Sequence, residues 1–252
     1  MTSYIIISLV ALFASLLTFF AGFGLGTILL PVVALFFPLP IAVTITAIVH
    51  LLNNLFKLIL LKRNIDKEVL IKFGILSIIG AFFGAFLMNH LPNQEILFFS
   101  FKTSVQKIIF GLILIFFSLF EVIPIFKNFT FNKKYVTFGG ILSGFMGGLS
   151  GHQGALRSAF LINLGLKKEA YVATGTAIAC LVDFTRIPLY FSNNYFENLN
   201  HQYGLILSAT FAAFIGAYIG NYIFKKITIH WIQNIVFVFL LLFGCLLLIG
   251  KI

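Results

Sequence analysis

Apolar runs long enough to cross a bilayer recur from one end of the chain to the other, and a soluble fold has no place for them. Between charged or Pro/Asn-rich breaks they cover about 3–20, 27–37, 41–61, 69–89, 104–126, 136–147, 154–164, 171–191, 203–224 and 229–250. A helix needs roughly 20 apolar residues to span the hydrocarbon core. Only 10% of the 252 residues are charged and 60% are hydrophobic. The expected fold class is therefore an all-α polytopic membrane protein, because a lipid-exposed helix satisfies its own backbone hydrogen bonds. A transmembrane β-barrel would alternate polar and apolar residues along each strand, and these runs do not.

The opening stretch, "MTSYIIISLVALFASLL", carries no basic residue ahead of its apolar core and reads as a retained membrane segment rather than a cleaved signal. The net charge of +10 is scattered over short loops instead of gathered on one polar face. Its partner is the lipid bilayer and not nucleic acid. Cys180 and Cys245 lie in apolar runs without metal-ligand or redox spacing, so they read as packing residues, and neither a metal nor a cofactor is expected.

Two pairs of segments are short. Residues 136–147 and 154–164 would make helices about 16 to 18 Å long, too short for a core of about 30 Å. Each pair meets at a glycine-rich junction, "AGFGLG" in the first and "GGLSGHQG" in the second. Such pairs read as re-entrant or broken-helix hairpins, although 3–20 alone nearly reaches across. The chain also repeats itself. Thr44, Thr46, Ala47, Ile48 and Asn53 recur 130 residues later as Thr174, Thr176, Ala177, Ile178 and Asp183. After six extra residues, Gly80, Ala81 and Gly84 match Gly216, Ala217 and Gly220, a small-residue spacing that suits close helix packing.

Each half, 1–126 and 136–252 with 127–135 as a cytoplasmic linker, is thus expected to hold one hairpin followed by three spanning helices, and the two halves should face opposite ways. The charges agree with this: Lys62, Arg63, Lys67, Lys72, Lys127, Lys133, Lys134, Lys167, Lys168, Lys225 and Lys226 all fall on one side, while Lys251 stands on the other. By the positive-inside rule both termini lie outside, in a multi-pass protein of the bacterial inner membrane. Inverted repeats with interrupted helices are the architecture of secondary transporters. A homo-oligomer is left open.

The chemistry collects at the hairpin tips. Helix N-termini with close backbone approach suit an anion, so Gly22, Gly24, Gly26, Gly148, Gly151 and Gly154 are candidate binding residues, with Ser150 and Gln153 beside them. Arg157, one turn into the second half-helix, is costly in lipid and needs a partner, water or a ligand. It is read either as an anion ligand or as the partner of Asp183. Asp183 is also three residues from Arg186, and the two could neutralise each other on one helical face. Thr174 and Thr176 share that helix and are expected to hydrogen-bond the anion, and the related helix of the first half carries His50, Asn53, Asn54 and Lys57. We expect Asn53, Lys57, Asp183 and Arg186 to gate or couple. Lys57 could also snorkel to the nearby loop. His152 could titrate near neutrality and couple a proton, or simply tie the tip together. Arg157, Arg186 and Lys57 against Asp183 leave surplus positive charge, which favours a small anionic substrate such as a carboxylate, sulfonate or sulfite.

These residues resemble the sulfite exporter TauE/SafE family of membrane permeases. "GFGLGTILLP" (Gly22 to Pro31) is similar to that family's glycine-rich motif ending in proline, and "LKRNIDKEVL" (Leu61 to Leu70) to its basic loop between early helices. "GGLSGHQGALRSAF" occupies the place of the second copy, with His152 and Gln153 where the family has glycines. The resemblance implies a transporter of sulfur-containing or organic anions, often an exporter and not an enzyme. Two rivals stand beside it. One is an anion channel. The other is an intramembrane serine protease, because "GLSG" with "HQYG" resembles the rhomboid pattern; it would require Ser150 and His201, placed by the expected topology on opposite sides, to approach to about 2.6 to 3.2 Å.

Overall fold

A backbone without water to bond to must bond to itself, and the computed structural model is accordingly built of helices. It describes residues 1–17, 19, 25–61, 64–122, 131–191, 202–223 and 229–252. Ten α-helices occur among them: α1 (Thr2–Leu17), α2 (Leu25–Ala34), α3 (Leu39–Leu61), α4 (Lys67–His90), α5 (Val105–Val122), α6 (Val136–Ser150), α7 (Gly154–Leu161), α8 (Lys168–Phe191), α9 (Tyr203–Ile223) and α10 (Ile229–Leu248). Four of these, α3, α4, α8 and α9, are long and apolar enough to cross a membrane. The chain is a multi-pass, all-α membrane protein. One turn of α4, Leu70–Gly74, is π-helical, and Asp66 caps the helix by accepting a hydrogen bond from the Val69 N–H at 2.9 Å.

The second short pair is a helix, a tight tip and a half-helix. The apolar pattern stops at 147, but α6 continues to Ser150 and ends at Gly151, whose φ of +82° gives the left-handed cap that only glycine adopts cheaply. After His152 and Gln153 the chain reverses into α7, whose 8 residues run into a 3₁₀ turn, Ile162–Leu164. In the first pair, α1 has 16 residues and α2 has 10. At about 1.5 Å per residue α1 is about 24 Å long, well beyond half of a bilayer core.

Helix pairing looks the same from either half. α1 packs on α9 as α6 packs on α4; α3 crosses α8; α5 pairs with α10; and α9 on α3 answers α8 on α4. The recurring glycines make the two equivalent contacts. A Cβ on Gly80 or Gly84 would fall on the Ile141 or Phe145 carbonyl of α6, and one on Gly216 would fall on the Leu12 carbonyl of α1. In return, α6 turns Gly140, Gly144 and Gly148 to the Phe73, Ser77 and Ala81 carbonyls of α4. Backbone thus lies against backbone, the close approach that small residues allow in lipid.

A two-stranded hairpin, β1 (Glu95–Phe98) and β2 (Phe101–Ser104), precedes α5 and was not expected from the sequence. Its turn residues Phe99 and Ser100 both have positive φ, 45° and 73°, as a two-residue hairpin loop with matching twist requires. The hairpin, the α2–α3 turn and the C-terminal residues share one end of the molecule, where Pro38, Asn93, Lys107, Leu247 and their neighbours line a cavity of about 340 Å³. At the other end the Asp66 N–H donates to Thr174 Oγ1 at 2.8 Å, and the Phe131 N–H to the Ala159 carbonyl at 3.2 Å. The α3–α4 loop, the segment before α6 and the α7–α8 junction therefore lie together, as the charge pattern requires of Lys67, Lys134, Lys167 and Lys168.

Candidate functional site

The polar side chains of the helix interiors meet where α3 crosses α8. Asp183 is fully buried and uses both carboxylate oxygens: His50 Nδ1 lies 2.6 Å from Oδ2, and Arg186 donates to Oδ1 from Nε at 2.9 Å and from Nη2 at 2.8 Å. Of the two partners considered for Asp183, the structure supplies Arg186, three residues along the same helix, and adds His50 from α3. Asn54 Nδ2 stands 3.2 Å from each His50 ring nitrogen. Tyr190 donates its hydroxyl to the Gly148 carbonyl, and the Arg186 guanidinium carbon lies 5.9 Å from the centre of its ring. One carboxylate, one guanidinium and an imidazole thus tie α3, α8 and the second tip together.

The second tip is built tightly against this network. A Cβ on Gly151 would lie 2.9 Å from Arg186 Nη1, so the glycine serves both the left-handed backbone and the space for the guanidinium. Gly151→Ala should therefore lower stability by about 1–2 kcal/mol from the backbone alone and displace Arg186 as well. Thermal unfolding of the purified variant checks this, and an unchanged midpoint contradicts it. His152 Nδ1 is held by Ser150, 3.0 Å from its carbonyl and 3.2 Å from its hydroxyl, and the ring stacks on Phe117 at 5.9 Å. These contacts tie His152 into the tip. Ser150 donates its own hydroxyl to the Met146 carbonyl at 3.1 Å. His201, the other half of the protease reading, lies outside the described residues, as do Gly22 and Gly24 of the first tip.

Arg157 is buried on α7. Its Nη1 donates to Gln153 Oε1 at 3.4 Å, and its Nε would lie 3.3 Å from a Cβ on Gly175 of α8. Gly154 opens the half-helix, and Gln153 is fixed by Ser143, which donates to its carbonyl at 3.2 Å. In the first half, Gly26 in the first turn of α2 lies against His50 and Thr46, where a Cβ would be 3.6 and 3.7 Å from their nearest carbons. Asn53 Oδ1 accepts from Ser15 of α1 at 3.0 Å. Lys57 is buried rather than snorkelling, with its ammonium 5.4 Å from the centre of the Phe19 ring.

Several buried polar atoms have no hydrogen-bond partner among the described residues: Thr46 Oγ1, Asn53 Nδ2, Gln153 Nε2 and His152 Nε2. Buried polar groups are normally satisfied, so these atoms mark positions with unused hydrogen-bonding capacity. Of the expected threonines, Thr176 gives its hydroxyl proton to the Val172 carbonyl at 2.8 Å and Thr174 accepts from Asp66. The open hydroxyl belongs instead to Thr46, the counterpart of Thr176 in the first half. His50, Asn54, Tyr190 and Ser15 complete the network without having been singled out for the site. For His50 a signal existed, since it stands one turn from the Asn53 that aligns with Asp183. No group of three or more His, Cys, Asp or Glu residues that could hold a metal occurs among the described residues.

A family model described as Sulfite exporter TauE/SafE matches residues 7–247. No curated protein and no solved structure matches the chain.

Proposed function

The chain belongs to the sulfite exporter TauE/SafE family, and on that premise we propose that it carries a small oxyanion of the sulfite or sulfonate type across the membrane by alternating access. The reading places it in a bacterial inner membrane, with both termini outside and the linker in the cytoplasm. The two halves rock against each other about the α3–α8 crossing and expose a site between the hairpin tips to either side in turn. The equivalent pairing of helices in the two halves supports this arrangement.

The observation that carries the reading is the excess of cationic over acidic side chains, together with unpartnered polar atoms, in the buried interior. Among the described residues, Lys57, Arg157 and Arg186 are buried cationic side chains and Asp183 is the buried carboxylate, which Arg186 contacts directly. Cationic side chains at this depth are costly, and an excess of them over acidic ones favours a bound anion. Arg157 and the Gln153 amide would hold oxyanion oxygens on one side; the first-turn N–H groups of α2, with Thr46 and Asn53, would hold them on the other.

Arg157→Ala should reduce sulfite uptake into proteoliposomes roughly 100-fold while leaving membrane insertion intact, because truncating one partner of a buried charge pair costs about 2–5 kcal/mol. Arg157→Lys should restore part of it, since an ammonium keeps the charge but loses the planar fork. Unchanged uptake by the alanine variant would remove Arg157 from the site.

A further inference from the structure

Two buried cations lie near one end of the molecule. Arg157 rests against Gly175 of α8, and Lys57 stands in the last turns of α3. At about 1.5 Å per residue, Gly175 is about 10 Å from the lysine-bearing end of α8 and about 24 Å from its other end, and Lys57 is about 6 Å and about 27 Å from the corresponding ends of α3. The barrier on the lysine-bearing side is therefore thin.

Two apolar clusters make that barrier. In one, Phe19 packs with Leu61 of α3, Val172 and Ala173 of α8 and Ala217 of α9, and the Lys57 ammonium lies 5.4 Å from the centre of the Phe19 ring. In the other, Phe160 of α7 is fully buried beside Phe73 of α4 and Phe131, whose ring centres are 6.3 and 3.9 Å away. Tyr171, one turn before Gly175 on α8, packs against both. Among the described residues it is the one side chain that the two clusters share. Ile65 joins the first cluster, and the next residue, Asp66, donates its N–H to Thr174 Oγ1 at 2.8 Å. The segment between α3 and α4 is thereby held against α8 by one hydrogen bond.

We infer that Tyr171 is the inner gate of the carrier, the residue at which the two clusters part to open the lysine-bearing end to Arg157, with the Thr174–Asp66 hydrogen bond as its latch. The inference rests on the carrier reading and adds the moving part on one side. The first cluster draws on α3, α9 and the residue Phe19 just after α1; the second draws on α4, α6 and α7. Rocking of one group of helices against the other separates them where a single side chain joins them. While they are joined, an anion meets only apolar side chains on this side, and a hydrophobic constriction closes a path by excluding water. Phe131 belongs to the connection between the halves and is held to α7 at two points, its N–H on the Ala159 carbonyl at 3.2 Å and its own carbonyl on the Asn163 amide at 3.3 Å. The second cluster thus moves with α7 and with Arg157.

The test is the rate at which an impermeant anionic methanethiosulfonate labels Lys57→Cys, in a Cys180→Ala/Cys245→Ala background, from either face of oriented membrane vesicles. Adding Tyr171→Ala should raise labelling at least about tenfold from the face that bears Lys134 and Lys167, and not from the other. Thr174→Val removes the acceptor while keeping the shape. It should raise the same rate about 2- to 10-fold, the population shift expected from losing one ordinary hydrogen bond. Tyr171→Phe keeps the ring and should label like the parent. Without the reporter, Tyr171→Ala should lose sulfite counterflow in proteoliposomes while downhill uptake persists, because both ends can then be open together. Parental labelling rates in Tyr171→Ala and Thr174→Val overturn the proposal, as does an equal rise from both faces, which is general loosening. Should the alanine variant not fold, Thr174→Val decides by the same criteria. The expected labelling in a protein that moves no sulfite would sink the carrier reading and leave the barrier standing. Normal counterflow in wild type with parental labelling in both variants does the reverse.

Discussion

Asp183→Asn should be the most damaging single substitution in the chain. The carboxylate accepts from His50 and twice from Arg186, and Arg186 is only 2% exposed. The amide would leave a guanidinium buried without its counter-charge, which costs about 3–5 kcal/mol. For a protein of ordinary marginal stability that is a large share of the total. We expect loss of folded protein on detergent extraction, or a sharply lowered unfolding temperature, together with loss of sulfite uptake. Removing both charges in Asp183→Asn/Arg186→Gln should return much of the stability, because the penalty comes from the orphaned charge rather than from the missing pair. Uptake should stay low in the double variant, since the network also seats the second tip through Gly151 and Tyr190. A single variant as stable as wild type would show that Asp183 and Arg186 are not paired in the interior.

Gly144→Leu should be nearly as severe, for a different reason. A Cβ there falls on the carbonyl, Cα and carbonyl carbon of Ser77. Backbone cannot step aside as a side-chain tip can, so α4 and α6 must separate along the seam that Gly80, Gly84, Gly140 and Gly148 also share. Overpacking a well-filled interior costs about 1–3 kcal/mol, occasionally more, and here four other close contacts open with it. The repeat predicts the same outcome for Gly216→Leu on α9 against α1. Gly26→Ala is the control for stability, because its nearest neighbours lie at ordinary contact distance, 3.6 Å and beyond. Thermal unfolding of the purified variants distinguishes them. Matching midpoints for Gly144→Leu and wild type would contradict the seam.

The membrane class and the helices were legible because lipid allows a chain so little else: runs of apolar residues read directly as helices. Gly80, Gly84 and Gly216 were legible as packing residues because both copies of the repeat use them alike, whereas Gly140 and Gly144 were not singled out and Gly148, read as a binding residue, packs on the Ala81 carbonyl of α4. The β1–β2 hairpin was hidden for a physical reason. "EILFFSFKTS" is apolar and aromatic like the membrane runs around it, and its turn uses Phe99 and Ser100 where a glycine or asparagine would have announced it. Helix spacing could place Arg186 on the face of Asp183, but it cannot say which residue of another helix arrives there, and so His50 was left among the polar residues of its helix without a partner. Thr46 and Thr176 were equivalent in sequence. What separates them is whether the hydroxyl bonds back to its own helix, as Thr176 does with Val172, and that choice is made by tertiary contacts.

The central claim is that an oxyanion is held inside the membrane, between the two tips. Selenite has the charge and pyramidal shape of sulfite and scatters anomalously, so diffraction from crystals grown with it locates the anion without any assumption about transport. The account predicts an anomalous peak within hydrogen-bonding distance of Arg157, the Gln153 amide, Thr46 or Asn53. Anomalous density confined to the lysine-bearing ends of the molecule, with the space between the tips empty at saturating selenite, would contradict it.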